Sequence, residues 1–247
     1  MTRKICLITG GSAGIGAATA RLAAAREYDL ALTYNSDPAG AEAVAEAARA
    51  AGARVLVQKT DVASPEEISA LFAAIDAEFG RLDALVNNAG VVDMTTKVTN
   101  LTHDRLRRMF DINVIGAMLV AKEAVIRMEA QGDGGAIVNI SSAAARLGSG
   151  NQYVDYAASK AAIDVFTKGL SDEVAAQNIR VNALRPGLIE TDIHAKGGEP
   201  GRAQRLAHAV PMQRTGSAEE VAEGILYLLS DAASYVTGTT LDVTGGR

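Results

Sequence analysis

A doubly wound α/β fold, with a seven-stranded, mostly parallel sheet and helices on both faces, follows from three observations. Short β-branched or aliphatic runs alternate strictly with longer Ala-rich segments, the first run leads into a glycine-rich turn, and Asp-Pro and Ser-Pro pairs punctuate helix starts. In chain order, strands are expected at Lys4 to Thr9, Leu30 to Asn35, Arg54 to Lys59, Ala84 to Asn87, Ala136 to Ser141, Arg180 to Leu184 and Thr239 to Val243. The segments between them predict helices over about 15–27, 39–51, 66–79, 102–130, 154–177 and 218–230. Asp37-Pro38 reads as an N-cap followed by Pro at the first helical position, and Ser64-Pro65-Glu66-Glu67 repeats that signal. Gly52 and Gly80 read as C-terminal caps. No Pro/Ser-rich linker, repeat or low-complexity tract divides residues 1–247, so one domain is expected. Its least regular part, 187–216, contains Pro200, Pro211 and several glycines, and a connection that long reads as a flexible substrate lid.

Composition narrows the function. The 24 Lys plus Arg against 29 Asp plus Glu give a net charge of −5, with 48% hydrophobic and 21% charged residues. These soluble-globular values, without a basic run, argue against nucleic acid or an anionic membrane surface as the main partner. The single cysteine, Cys6, forms no internal disulfide, and His103, His194 and His208 are too scattered to read as metal ligands. The opening MTRKICLITGG is too short an apolar run for a signal peptide, and no stretch approaches the roughly 18 apolar residues of a membrane span. A cytoplasmic location is expected.

Directly after the first strand, Thr9-Gly10-Gly11-Ser12-Ala13-Gly14-Ile15-Gly16 runs into a helix. Strand, glycine turn and helix N-terminus form a phosphate-binding arrangement: glycines let the backbone approach a pyrophosphate, which the helix N–H groups attract. The spacing is G-x-x-x-G-x-G rather than G-x-G-x-x-G, and a purely structural tight turn needs glycines too. Gly10-Gly11-Ser12-Ala13-Gly14 also fits G-x-S-x-G, the nucleophile elbow of serine hydrolases. That elbow normally follows several strands, whereas this one sits on the first, with His194 and His208 as candidate bases. A P-loop is excluded because no Lys follows Gly16.

Tyr156 and Lys160 are four residues apart near the start of a predicted helix, on one face. A nearby cation favours the phenolate and brings a phenol towards proton transfer at neutral pH. The strand Ile137 to Ser141, followed by Ser142, places hydroxyls at the sheet edge where doubly wound folds hold ligands.

With these residues in place, the chain resembles the short-chain dehydrogenase/reductase family, single-domain branch, over essentially its whole length. The resemblance rests on Thr9-Gly10-x-x-x-Gly14-x-Gly16, Asp61, Asn87-Asn88-Ala89-Gly90, Asn113, Ser142, Tyr156/Lys160 and Pro186-Gly187-x-x-x-Thr191, in that order. It is nearest the glucose dehydrogenase-like and 3-oxoacyl-carrier-protein reductase-like members. It implies a Rossmann fold and hydride transfer between a nicotinamide cofactor and a small ketone or secondary alcohol. In that scheme Tyr156 is the general acid/base, Lys160 holds the ribose and keeps the phenol acidic, Ser142 orients the carbonyl, and Asn113 completes a proton relay. Ser141 competes with Ser142, which lies 14 positions before Tyr156 where about 13 is usual for the family; Ser142 is retained. Asn is a poor helix former, so Asn113 inside a predicted helix is odd for structure alone.

The resemblance also assigns a cofactor cradle. Gly10, Ser12, Gly14, Ile15 and Gly16 would hold the pyrophosphate turn, Asp61 and Val62 the adenine, and Asn88, Ala89 and Gly90 the ribose. Pro186, Gly187, Ile189 and Thr191 would flank the nicotinamide. At the end of the second strand stands Tyr34-Asn35-Ser36, with no acid to repel a 2′-phosphate, which favours NADP with NAD possible. Ala13 departs from this, because many NADP-using relatives carry a basic residue in that turn. Pocket candidates are Val92, Asp93, Met94, Ala144, Leu147, Gln152, Tyr153 and 194–212, among which no charged anchor stands out. The resemblance further implies a homodimer or homotetramer formed through the helices at 102–130 and 154–177. The alternatives are an NAD-dependent sugar or alcohol dehydrogenase, or a non-enzymatic cofactor-binding protein on the same fold.

Overall fold

The computed structural model describes residues 3–191 and 197–247. Seven strands form one parallel sheet in the order β3-β2-β1-β4-β5-β6-β7. They are β1 (Lys4–Ile8), β2 (Tyr28–Tyr34), β3 (Val55–Lys59), β4 (Ala84–Asn87), β5 (Gly135–Ile140), β6 (Ile179–Pro186) and β7 (Thr240–Val243). The main helices are α1 (Gly14–Ala25), α2 (Pro38–Ala50), α3 (Pro65–Phe79), α4 (His103–Phe110), α5 (Ala117–Gln131), α6 (Ala144–Leu147), α7 (Val154–Val174), α8 (Arg202–Leu206) and α9 (Ala218–Leu229).

Successive strand side chains point to opposite faces, so β1 feeds two cores. Cys6 and Ile8 join Leu30, Leu32, Val86 and Val138 beneath α1, α2 and α9, with Val44, Val221 and Ile225 packed on top. Ile5 and Leu7 join Leu85 and Ile137 on the other face, covered by Leu71, Phe72 and Ile75 of α3 and Val120 and Met128 of α5. A sheet buried on both faces explains why its strands read as continuous apolar runs rather than alternating ones. Strand order reverses between β1 and β4, and at that switch point the connections leave in opposite directions, opening a crevice above the carboxyl ends.

The expected caps form. Asp37 Oδ1 accepts from the Gly40 N–H at 2.9 Å, Ser64 Oγ accepts from the Glu67 N–H, and Gly80 closes α3 at φ +69°. Ser217 and Glu220 form a reciprocal capping box at the start of α9. Among the described residues no helix is long and apolar enough to cross a membrane.

The expected helix over 102–130 is where structure and pattern differ most. Its α4 and α5 parts are joined by a π-helical segment, Asp111–Gly116, which contains Asn113. The physical reason is a close approach. A Cβ built on Gly116 would lie 2.3 Å from the carbonyl oxygen of Val62, so the loop after β3 presses directly on the helix backbone. Segments of this kind recur at functional sites. Gly116→Ala is therefore expected to cost about 1–3 kcal/mol by overpacking, read as a lower urea midpoint at unchanged slope; an unaltered midpoint would show that the segment relaxes freely. Smaller differences lie at element ends: β2 starts at Tyr28 rather than Leu30, β6 continues to Pro186, and α7 gives way to a 3-10 turn at Ala175–Gln177. Within 187–216, Ile189 bridges Gly216 in parallel and α8 forms, while 192–196 lie outside the described residues.

Candidate active site

A cavity of about 1350 Å³ opens over the switch point. Every expected cofactor and catalytic residue lines it except Gly16 and Asn113, which lie behind its wall. At the β1 end, Gly10 and Gly14 adopt φ +66° and +54°, conformations that favour glycine. A Cβ on Gly16 would stand 2.3 Å from the Gly10 carbonyl oxygen, so the turn closes onto α1 only without a side chain there. The turn is stitched to its neighbours. Thr9 Oγ1 accepts from the Asn88 and Ala89 N–H groups at 2.9 Å, Asn88 Nδ2 donates to the Thr9 and Gly10 carbonyls, and Thr33 Oγ1 accepts from the Gly10 N–H.

A dinucleotide fits these residues. The helices α2, α3, α4 and α9 each have a side chain capping the N-terminus, whereas α1, the one facing the cavity behind the glycine turn, has none. Its first-turn N–H groups are left for an anion. Tyr34, Asn35 and Ser36 line one extremity beside Asp61 and Val62, and Asp37, spent on its cap, is also at the wall. Asp61 Oδ1 accepts from the Ala63 N–H, while Glu67 Oε2 accepts from the Asp61 N–H, fixing this loop. Thr33 and Thr60 line the same extremity and were not legible as site residues; the buried Thr60 hydroxyl has no partner among the described residues.

At the other extremity the catalytic candidates converge. Ser142, one residue past the Ser141 that follows β5, neighbours the Tyr156 phenol and favours its phenolate, and its Oγ accepts from the Ala144 N–H at 3.1 Å. Ser141 is turned away: its hydroxyl donates to the Lys160 carbonyl at 3.1 Å and is buried. The longer loop before α7 therefore leaves Ser142, not Ser141, on the phenol. Lys160 Nζ donates to the Ile140 carbonyl at 2.8 Å and stands 5.8 Å from the Tyr156 ring centroid. Burial pushes its pKa down to about 8.

Here the spacing argument needs correction. Lys160 shares a face with Tyr156, yet the phenol is raised above its ordinary value, because loss of hydration outweighs the hydrogen bond from Ser142 that favours the phenolate. Proximity along a helix fixed the pair; burial, which depends on the whole fold, sets its charge.

Asn113 is buried and doubly engaged with one residue. Its Oδ1 accepts from the Val91 N–H at 2.8 Å and its Nδ2 donates to the Val91 carbonyl at 2.9 Å, with Ser159 Oγ at 3.1 Å. A Cβ on Gly90 would meet Asn113 Oδ1 at 3.1 Å and Lys160 Nζ at 3.3 Å, so these three residues form one floor. Gly187 donates its N–H to the Val243 carbonyl, and a Cβ there would lie 2.7 Å from Thr244 Cα. Thr191 Cγ2 stands 3.3 Å from the Cβ position of Gly14, bringing the β6 loop back to the glycine turn.

On the substrate side, Val92, Asp93, Ala144, Leu147, Gln152 and Tyr153 line the cavity, while Met94 does not and projects into solvent. His194 lies outside the described residues. Arg202 of α8, in a segment without periodicity and not singled out by the sequence, is buried in the cavity wall. Ser12, the nucleophile of the hydrolase alternative, has no hydrogen bond to a histidine among the described residues. Among those residues no cluster of His, Cys, Asp and Glu is arranged to hold a metal ion.

Comparison with known proteins agrees with this geometry. A family profile described as Enoyl-(Acyl carrier protein) reductase matches residues 10–247. The chain is 52% identical over 245 residues to an uncharacterized oxidoreductase, YgfF, of Escherichia coli K12, covering 98% of this chain and 99% of that one. It is 41% identical over 243 residues to cis-4-hydroxycyclohexanecarboxylate dehydrogenase of Sinomonas cyclohexanicum, covering 98% and 96%. The crystal structure of levodione reductase superposes with a TM-score of 0.93 at 33% identity, covering 100% of this chain and 98% of that one.

Proposed function

The chain belongs to the short-chain dehydrogenase/reductase family, oxidoreductases of CH–OH and C=O groups that use NAD(P)(H), and on that premise we propose that it interconverts a small ketone and its secondary alcohol, with NADP(H) favoured over NAD(H). The observation that carries the reading is the Tyr156 phenol, beside Ser142 and backed by Lys160, in the same cavity as the uncapped N-terminus of α1.

When bound, the nicotinamide supplies or accepts the hydride. In reduction, Tyr156 donates its proton to the carbonyl oxygen as that oxygen gains charge, and in oxidation its phenolate removes the alcohol proton. Ser142 donates to the same oxygen and fixes its approach. Lys160 holds ribose hydroxyls and stabilises the phenolate left after proton donation. Asn113 braces the floor by clamping Val91 between the π segment and Ser159 of α7, as the relay member of the set. Gly10, Ser12, Gly14 and Ile15 cradle the pyrophosphate, with Gly16 allowing the turn. Asp61 and Val62 take the adenine, Asn88 to Gly90 the ribose, and Pro186, Gly187, Ile189 and Thr191 the carboxamide side.

The favoured cofactor rests on Tyr34-Asn35-Ser36, whose donors suit a 2′-phosphate, and on Asp37 spending one carboxylate oxygen on the Gly40 N–H. Parallel fluorescence titrations with NADPH and NADH are expected to show about tenfold tighter binding of NADPH, about 1.4 kcal/mol. Tighter NADH would make Ala13 the better guide and put alcohol or sugar oxidation first.

The raised phenol sets the sign of the pH dependence. Oxidation needs the phenolate, so below about pH 8 its kcat/KM rises about tenfold per pH unit towards the elevated Tyr156 pKa, whereas reduction, which needs the phenol, stays level until Lys160 loses its proton near 8. A flat oxidation profile between neutral and alkaline pH would remove Tyr156 from the base role.

The same reading extends to assembly as a homodimer or homotetramer. Ile115 of the π segment, Ile126 of α5 and Val165 of α7 are 50%, 47% and 74% exposed, on the two stretches expected to pair copies. Light scattering coupled to size-exclusion chromatography checks it, a monomer being the outcome that refutes it.

A further inference from the structure

Arg202 is unlike the other cations of the active-site cavity. Arg107 and Arg108 are more than half exposed and face Asp111 and Asp93, Arg247 closes the chain, and Lys160 belongs to the proton-transfer set. Arg202 is 7% exposed, and its guanidinium carbon stands 5.0 Å over the Tyr153 ring. Nη1 donates to Glu199 at 3.1 Å and Nη2 to Gln152 Oε1 at 2.5 Å. A guanidinium carries five N–H donors, and two partners leave donor capacity over. Among the described residues its one acidic partner is divided, because Glu199 also receives Arg205 at 2.5 Å. Two guanidinium groups on a single carboxylate leave a surplus positive charge at the cavity wall.

A buried cation with half a counter-ion is costly. If Arg202 only fastened α8 to the wall, a neutral amide could bond Gln152 at lower cost. A planar fork with spare donors is what bidentate capture of a carboxylate requires. Its placement fits a substrate end. Tyr153 is the non-helical cap residue immediately before α7, it lines the same cavity as Tyr156, and Arg202 lies on its ring. A compact molecule with its carbonyl at Tyr156 would present its opposite end to the guanidinium.

Resting on the oxidoreductase reading above, we propose that Arg202 is a specificity-determining residue that binds a carboxylate at the far end of the substrate, making the substrate class small oxo-acids and their hydroxy-acid counterparts. Gln152 and the Tyr153 ring hold the guanidinium in the required plane, and Glu199 keeps it from swinging into solvent.

The test compares each oxo-acid with its methyl ester, using 3-oxocyclohexanecarboxylate and 4-oxopentanoate with the preferred reduced cofactor at neutral pH. The wild-type enzyme is expected to favour acid over ester in kcat/KM by about tenfold or more, the scale of one charge-assisted hydrogen bond. In Arg202→Gln that ratio falls to near one, mainly through KM of the acid, and Arg202→Lys retains part of it. A residue that merely fastens α8 would lower acid and ester together and leave the ratio standing, which overturns the proposal. A wild-type preference for the ester overturns it as well. Calorimetry of cyclohexanecarboxylate against cyclohexanecarboxamide, binding to the cofactor-loaded protein, covers the case in which none of the four is turned over. Equal affinity there refutes the anchor, and tighter carboxylate binding lost in Arg202→Gln supports it. Failure of the oxidoreductase reading is distinct: neither nicotinamide cofactor binds, and no neutral ketone is reduced.

Discussion

Tyr156→Phe is expected to lower kcat by about 10³-fold or more, at the upper part of the range for positioned acid–base catalysis, while the cofactor dissociation constant stays within a few fold. The substitution keeps the ring that lies 5.8 Å from Lys160 Nζ and removes only the hydroxyl that Ser142 bonds. In the proposed mechanism the proton of the phenol is the one delivered to the carbonyl oxygen, and the substitution removes it. Tyr153 has Arg202 rather than Lys160 over its ring, and burial raises its own hydroxyl. Single-turnover reduction with bound cofactor separates chemistry from binding, and full residual activity in the variant would sink the mechanism. Ser142→Ala provides the comparison: it leaves the acid and removes one donor to the developing charge, an expected loss of about 10²-fold.

The second large effect is opposite in kind. Gly16→Ala is expected to weaken cofactor binding by about 100-fold, equivalent to roughly 2.7 kcal/mol, with little change in the chemical step of whatever cofactor still binds. The new Cβ would fall 2.3 Å from the Gly10 carbonyl oxygen and 2.7 Å from Asn88 Nδ2. The first is backbone and the second is held by the Thr9 and Gly10 carbonyls, so neither gives way cheaply. The turn must open, and the N–H groups of α1 lose their aim. A thermal melt accompanies the titration: a modest drop in Tm with binding lost locates the damage in the turn, whereas unchanged affinity would show that the turn is not the pyrophosphate site.

Much of this was legible in the sequence because it is written locally. Continuous apolar runs such as Ile5 to Ile8 mark strands buried on both faces, and Asp37-Pro38 and Ser64-Pro65 mark helix starts by the chemistry of one turn. The glycines at 10 and 14 announce backbone angles that side chains disfavour. What stayed hidden depends on contacts between distant segments. The π segment ends at Gly116, where the helix backbone meets the Val62 carbonyl across the fold, a contact that the residues 111–116 alone do not reveal. Arg202 lies in an aperiodic stretch, and only the folding of α8 onto Gln152 and Tyr153 places it in the cavity. Which of Ser141 and Ser142 has its hydroxyl taken by the Lys160 carbonyl is likewise a contact between distant segments. The charge state of Tyr156 and Lys160 is set by desolvation, a property of the surroundings that spacing cannot report.

The position of Cys6 in the middle of β1 has a practical side. Its thiol is fully buried beneath α1, α2 and α9, and burial together with Asp83 pushes its pKa upward, so almost no thiolate forms at neutral pH. Thiol-directed reagents therefore find no cysteine to attack in the native protein, and any reaction of Cys6 reports unfolding. A cysteine introduced at an exposed position such as Met212, in the 187–216 connection, would be the sole reactive thiol of the chain. The wild-type background thus already serves for placing one fluorophore or spin label and following that segment as substrate binds.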